Sequence, residues 1–202
     1  MLKHMRFLAL VAAVAVSSSC GSAVRQGRSP MNLIVQSMAG GVSAATASGI
    51  FESDVVTNVT TPAPCSPSTP CPTVISDSGI VTLATAPKDV TSPSAPTANN
   101  AVTITQYHVE YTRSDGRNTQ GVDIPYAFDG AMSGTIQPGS NQSFVFELVR
   151  TVAKEEAPLI QLTSSSSVLS MVANVTFYGH DEAGNDLNVT GSITIEFGNF
   201  GG

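Results

Sequence analysis

Residues 172–179 read VANVTFYG, residues 180–186 HDEAGND, and residues 187–197 LNVTGSITIEF. The first run places Ala173, Val175 and Phe177 on one face and Asn174, Thr176 and Tyr178 on the other. The third places Leu187, Val189, Ile193, Ile195 and Phe197 opposite Asn188, Thr190, Ser192, Thr194 and Glu196. Alternation with a period of two marks an extended chain with one face in a core and one in water, so both runs are expected to be strands. Gly184-Asn185 between them offers residues that accept positive φ, as a tight reversal requires, and the two strands are expected to form a hairpin.

The same repeat extends upstream. Residues 143–152 (SFVFELVRTV) put Phe144, Phe146 and Leu148 on one side, with Glu147 and Arg150 toward a partly solvated face. Residues 80–86 (IVTLATA) turn Val81 and Leu83 inward. In AVTITQYHVEYTR (101–113) the apolar parity changes, from Val102 and Ile104 to Tyr107, Val109 and Tyr111. A flat strand buries only one of those sets, so a β-bulge or sheet-switching bend is expected near Thr105 and Gln106. MNLIVQSM from Met31 and IFESDVVTNVT from Ile50 are also strand-like, whereas Pro62 to Pro72 and residues 87–100 read as irregular Pro/Ser/Asn loops. Helical signal is confined to residues 150–161, where Pro158 limits it. Seven to eight strands with long irregular loops predict an all-β fold, an antiparallel β-sandwich over residues 31–202.

The stretch FYGHDEAGND followed by LNVTGSITIEF resembles the last hairpin of bacterial immunoglobulin-like domains, in which a D-x-A-G-N turn joins the final two strands; Asp181, Ala183, Gly184 and Asn185 are the matching residues. The resemblance implies an immunoglobulin-like sandwich and carries no activity with it.

At the other end, Lys3, His4 and Arg6 precede the apolar run FLALVAAVAV (7–16) and then Ser17-Ser18-Ser19-Cys20. Ten helical residues rise about 15 Å, half the hydrocarbon core of a bilayer, so residues 1–19 are expected to be an export signal rather than a permanent span. Cys20 after three small residues resembles the lipobox of bacterial lipoproteins, which implies cleavage before Cys20, acylation of its thiol, and a membrane partner in the form of that lipid. Ser17 stands where the family usually has an aliphatic residue. Residues 20–30 would be the lipidated Cys and its tether. Lipobox, tether and β-domain together resemble uncharacterised cell-envelope lipoproteins of bacteria, and Gly21 in that pattern permits sorting to the outer membrane.

With Cys20 acylated, Cys65 and Cys71 remain, separated by five intervening residues in CSPSTPC. In an exported chain they are expected to form a disulfide, since the surrounding prolines forbid the helix on which a redox pair relies. The chain carries 9 basic and 15 acidic residues, a formal charge of −6. No concentrated cationic face is available for phosphate, so nucleic acid is not an expected partner.

No nucleophile elbow, phosphate loop or H-E-x-x-H run occurs in the sequence, and neither a catalytic set nor a cofactor is expected. His108 reads as a structural or partly exposed strand residue, and His180 as solvated. Two acidic turns are weighed as calcium sites: Asp181, Glu182 and Asp186 in one, Asp115, Asn118, Asp123 and Asp129 in the other. Calcium needs six to eight oxygens and no D-x-D-x-D-G array appears, so solvated turns without metal are expected. The functional expectation is a lipid-anchored, non-enzymatic structural or protein-interaction module with an envelope protein as partner. The alternative is a ligand-binding module, for surface polysaccharide or calcium-dependent, with Tyr107, Tyr111, Tyr126 and Tyr178 as its only tyrosine platforms and no Trp.

Overall fold

The computed structural model describes residues 27–41, 50–91 and 96–201. The expected signal segment, Cys20 and most of the tether lie outside the described residues. Among the described residues ten strands form in chain order: β1 (Met31–Gly40), β2 (Ile50–Asp54), β3 (Thr57–Val59), β4 (Cys71–Thr73), β5 (Asp77–Pro87), β6 (Val102–Thr112), β7 (Phe128–Ile136), β8 (Asn141–Val149), β9 (Leu169–Asp181) and β10 (Asp186–Gly198). A single turn of α-helix, α1 (Thr151–Glu155), follows β8, and a 3-10 turn, Leu159–Leu162, follows Pro158. The fold is all-β, as the period-two runs require.

Eight strands make two sheets, a three-stranded one in the order β1-β5-β8 and a five-stranded one in the order β2-β10-β9-β6-β7; β3 and β4 form a separate ribbon. The larger sheet curls as a half-barrel and the two sheets pack together. Their inner faces meet in one hydrophobic cluster that includes Val81, Leu83, Ile104, Val109, Leu148, Val175, Phe177 and Ile195, each fully buried. One pairing departs from the all-antiparallel expectation: β2 runs parallel to β10, from Ile50 beside Thr194 to Asp54 beside Gly198. The other pairings in the two sheets are antiparallel.

β9 and β10 pair from His180 opposite Asp186 to Leu169 opposite Phe197, the hairpin expected from residues 172–197. Of the turn residues only Gly184 has a positive φ, at 78°; Asn185 does not. The register of β6 shifts between Ile104 and Gln106 against both of its neighbours. That bulge leaves Thr105 and Gln106 exposed and sends Val102, Ile104, Tyr107, Val109 and Tyr111 all into the core. Gly179 sits beside it, where a β-carbon would lie 2.4 Å from the Thr103 carbonyl oxygen, so only glycine allows the backbones to approach there.

Two tyrosines of β6 stitch the sheets together with polar contacts. Tyr111 Oη donates to the Leu148 carbonyl at 2.7 Å, and the Glu147 backbone N–H donates to Tyr107 Oη at 3.1 Å. Their rings meet the core edge to face: Tyr107 against Phe128 and Phe146, Tyr111 against Phe197. Burial of these rings pushes both phenol pKa values up, so the groups stay neutral donors and acceptors.

Cys65 and Cys71 are disulfide-bonded. The Pro62 to Pro72 segment is more ordered at its end than a wholly irregular loop, because Cys71–Thr73 pairs with β3. The fold also takes hold just before β1: Ser29 is buried and its Oγ accepts the Met31 N–H at 3.2 Å, while the Lys88 N–H donates to the Pro30 carbonyl at 2.8 Å.

Candidate functional site

Where β8 leaves the small sheet, the chain turns through α1 and opposes the start of β7. Between them lies a groove of about 450 Å³, with Pro125, Tyr126 and Phe128 on one wall, Val152 and Ala153 on the other, and Glu147, Arg150 and Glu156 as charged groups. That volume is within the range of small-ligand or side-chain pockets. Tyr126 and Val152 are 58% and 56% exposed, so the rim presents apolar surface to solvent. Arg150 is fixed over the Phe128 ring, its guanidinium carbon 4.4 Å from the centroid, and lies 3.7 Å from Glu147. A shaped pocket with an aromatic edge and a held cation can accept a side chain or an extended segment of a partner.

The α1 wall is positioned from beneath. Lys154 points away from the groove into the molecule, with 1% of its side chain exposed, and its Nζ lies 2.9 Å from Asp77 Oδ2 at the start of β5. The same ammonium donates to the Asp54 carbonyl at 2.7 Å, and Ser53 Oγ donates to Asp77 Oδ2 at 2.5 Å. Ser53 and Asp54 belong to β2, at the edge of the large sheet, so this network joins both sheets and α1. Burial pushes the Asp77 carboxyl above the usual range, opposed by the Ser53 hydrogen bond and by the charge and hydrogen bond of Lys154. Ser53 is fully buried and bonded to the carboxylate, which leaves it out of reach of an external substrate.

The sequence pattern offered Tyr126 as a possible platform and Glu147 and Arg150 as partly solvated, but singled out none of Ser53, Asp77 and Lys154. Lys154 lies in AKEEA, whose composition reads as a solvated helical turn, and a buried lysine has no one-dimensional signature.

The residues weighed for calcium are divided among other partners. Asp115 is held by Arg113 and Arg117, Nη2 to Oδ2 at 2.5 and 3.0 Å. Its carboxyl is lowered to about 2, first by the Arg117 backbone hydrogen bond, with the side chains of Arg113 and Arg117 adding to it and desolvation opposing it. Asn118 Oδ1 accepts the Arg113 N–H, Asp123 Oδ2 accepts the Thr119 N–H, and Asp129 Oδ1 lies 2.8 Å from His108 Nδ1. Among the described residues no three His, Cys, Asp or Glu side chains form a metal-ligating group. His108 is partly exposed on the outer face of the large sheet and His180 is exposed.

Asp181 corrects the expectation of a solvated turn. It is 1% exposed, and its carboxylate accepts the Ala183 and Asn185 N–H groups at 3.0 and 2.8 Å and both contacts of the Asn185 amide. Burial raises its pKa, but the Asn185 hydrogen bonds, joined by Ser29 and Ala183, outweigh it and leave the carboxyl below its ordinary value. A carboxyl lowered by folding stabilises the native state above its unfolded pKa, and that contribution is lost as pH falls toward the folded one. Asp181→Asn is therefore expected to destabilise the domain at neutral pH and to flatten its loss of stability as pH falls through and below the ordinary carboxylate range, read from urea midpoints at a series of acid pH values.

Tyr107 and Tyr111 are core residues, which removes two of the four tyrosines considered as sugar platforms. The outer face of the large sheet is a polar lattice instead, with Thr103 against Thr135, Thr176 against Thr190, and Ser192 donating to Asn174, each near 2.8 Å. Family models, curated proteins and solved structures give no match to this chain.

Proposed function

We propose that the chain is an exported, lipid-anchored module of the bacterial cell envelope, an immunoglobulin-like sandwich without enzymatic activity that holds a protein partner in the groove beside α1. The groove carries this reading: it combines an exposed Tyr126 and Val152 with a fixed Arg150, while the buried serine and lysine nearby face away from solvent. Aromatic and arginine side chains at a pocket rim are the common anchors of protein interfaces. The Cys65–Cys71 disulfide is consistent with an oxidising compartment. Cys20, acylated and placed before the domain, would keep the groove close to a membrane surface; several acyl chains give an anchor that one chain does not.

The test has two arms. A photo-crosslinking residue at Tyr126 is expected to capture a discrete envelope protein, and the same probe at Thr190 on the polar face is expected to capture none. Absence of an adduct at position 126 in intact cells would count against the groove. For the anchor, Cys20→Ala is expected to move the protein from the membrane to the soluble fraction, and an unmodified mature Cys20 in mass spectrometry would refute lipidation.

A further inference from the structure

We propose that Lys154 and Asp77 form an intramolecular amide, Nζ to Cγ, that covalently joins α1 to the first residue of β5. The proposal is independent of the partner and the anchor discussed above.

The two groups are already placed as reactants. Nζ is 2.9 Å from Asp77 Oδ2 and is steered from its other side by the Asp54 carbonyl at 2.7 Å. The carboxyl is held by Ser53 Oγ, which donates to the same oxygen. Lys154 is 1% exposed and Ser53 fully buried, while the Asp77 side chain keeps 18% of its surface, so the amine is withdrawn from bulk water, the reagent of the reverse reaction, and the carboxyl is largely but not wholly shielded from it. Orienting two reactants in this way replaces a bimolecular encounter by an intramolecular one, with effective molarities of about 10⁵–10⁸ M in well-aligned cases.

The chemistry balances without a co-reactant. One proton passes from the ammonium to the carboxylate along their hydrogen bond, giving an amine and a carboxylic acid. The nitrogen lone pair attacks Cγ, the N–C bond forms with the negative charge on Oδ1, and the Ser53 hydroxyl, donating to Oδ2, is a positioning residue that holds the oxygen about to leave. The C–O bond then breaks, and its oxygen leaves as water with the acid proton and one proton from nitrogen. Burial of Asp77 together with the nearby negative charge of Asp54 favours the neutral acid that this step consumes.

Mass spectrometry of the full chain decides the matter. Folded protein, unfolded only after incubation, is expected to weigh one water less than the same polypeptide without the amide, after the Cys65–Cys71 bond and any processing at Cys20 are counted, and is then digested with trypsin. It should yield a branched peptide joining the Asp77 and Lys154 segments, with no cleavage after Lys154. Protein held in urea throughout should lack the branch. Asp77→Ala should restore the full mass, Asp77→Asn should form the same amide with loss of ammonia instead of water, and Ser53→Ala should slow its appearance. If a variant fails to fold, the wild-type digest is sufficient: linear Lys154 peptides alone, after days in the folded state, overturn the proposal and leave an ordinary ion pair.

Discussion

Lys154→Met is expected to be among the most damaging single substitutions in the domain, with a loss of about 3–5 kcal/mol in urea unfolding, because without Lys154 neither the amide nor an ion pair can form and the Asp77 carboxyl is stranded in a largely buried site. Asp77 would keep its burial and its Ser53 hydrogen bond but lose the ammonium beside it, and the Asp54 carbonyl would lose its donor. The effect should spread beyond α1, since the network ties β2 of the large sheet to β5 of the small one. Pairing the change with Asp77→Leu separates two contributions. Replacing both charges by apolar groups relieves the stranded carboxylate, so the double variant should recover part of the loss. It cannot recover a covalent tie, so it should remain less stable than the parent. Complete recovery would mean that the parent gains nothing from the pair beyond avoiding an uncompensated charge.

What could be read in the one-dimensional pattern, and what could not, follows from the range of the interactions. The β9–β10 hairpin is legible because both strands have one wet and one buried face, which writes the period directly into residues 172–197. The β6 bulge is legible for the same reason, as a change of apolar parity at Thr105 and Gln106. β1 has a comparable register shift, between Val35 and Ser37, yet MNLIVQSM hides it: Ile34 is 41% exposed and Val35 half-buried, so apolar residues occupy both faces. The parallel β2–β10 pair is also silent, because IFESD is short and its partner lies far along the chain. Least legible is the candidate site. Tyr126 and Val152 become neighbours of Arg150 only through the turn into α1, and Lys154 becomes a buried group only because Ser53 and Asp77, from two other strands, meet it.

Phe177→Ala should cost about 3–5 kcal/mol, the range for deleting a large aromatic ring from a packed core. Phe177 is fully buried in the middle of β9, the central strand of the large sheet, flanked by β10 and β6. Its ring meets Phe146 of the opposing sheet edge to face, with centroids 5.5 Å apart, and Phe146 in turn meets Tyr107 at 5.3 Å. The three rings therefore form a chain across the interface from β9 to β8 and back to β6. Truncation at its first member opens a cavity that strands cannot close easily, because β9 is fixed by hydrogen bonds on both sides. Phe177→Leu should cost less, since it keeps most of the apolar volume while losing the edge contact. The position also bears on the groove: Phe146 lies one residue from Glu147, whose N–H is held by Tyr107 Oη. A loosened Phe146 should thus be visible at the groove wall, as faster amide hydrogen exchange at Glu147 in Phe177→Ala than in Phe177→Leu under native conditions. Equal exchange at Glu147 in the two variants would show that the core and the groove wall are energetically separate.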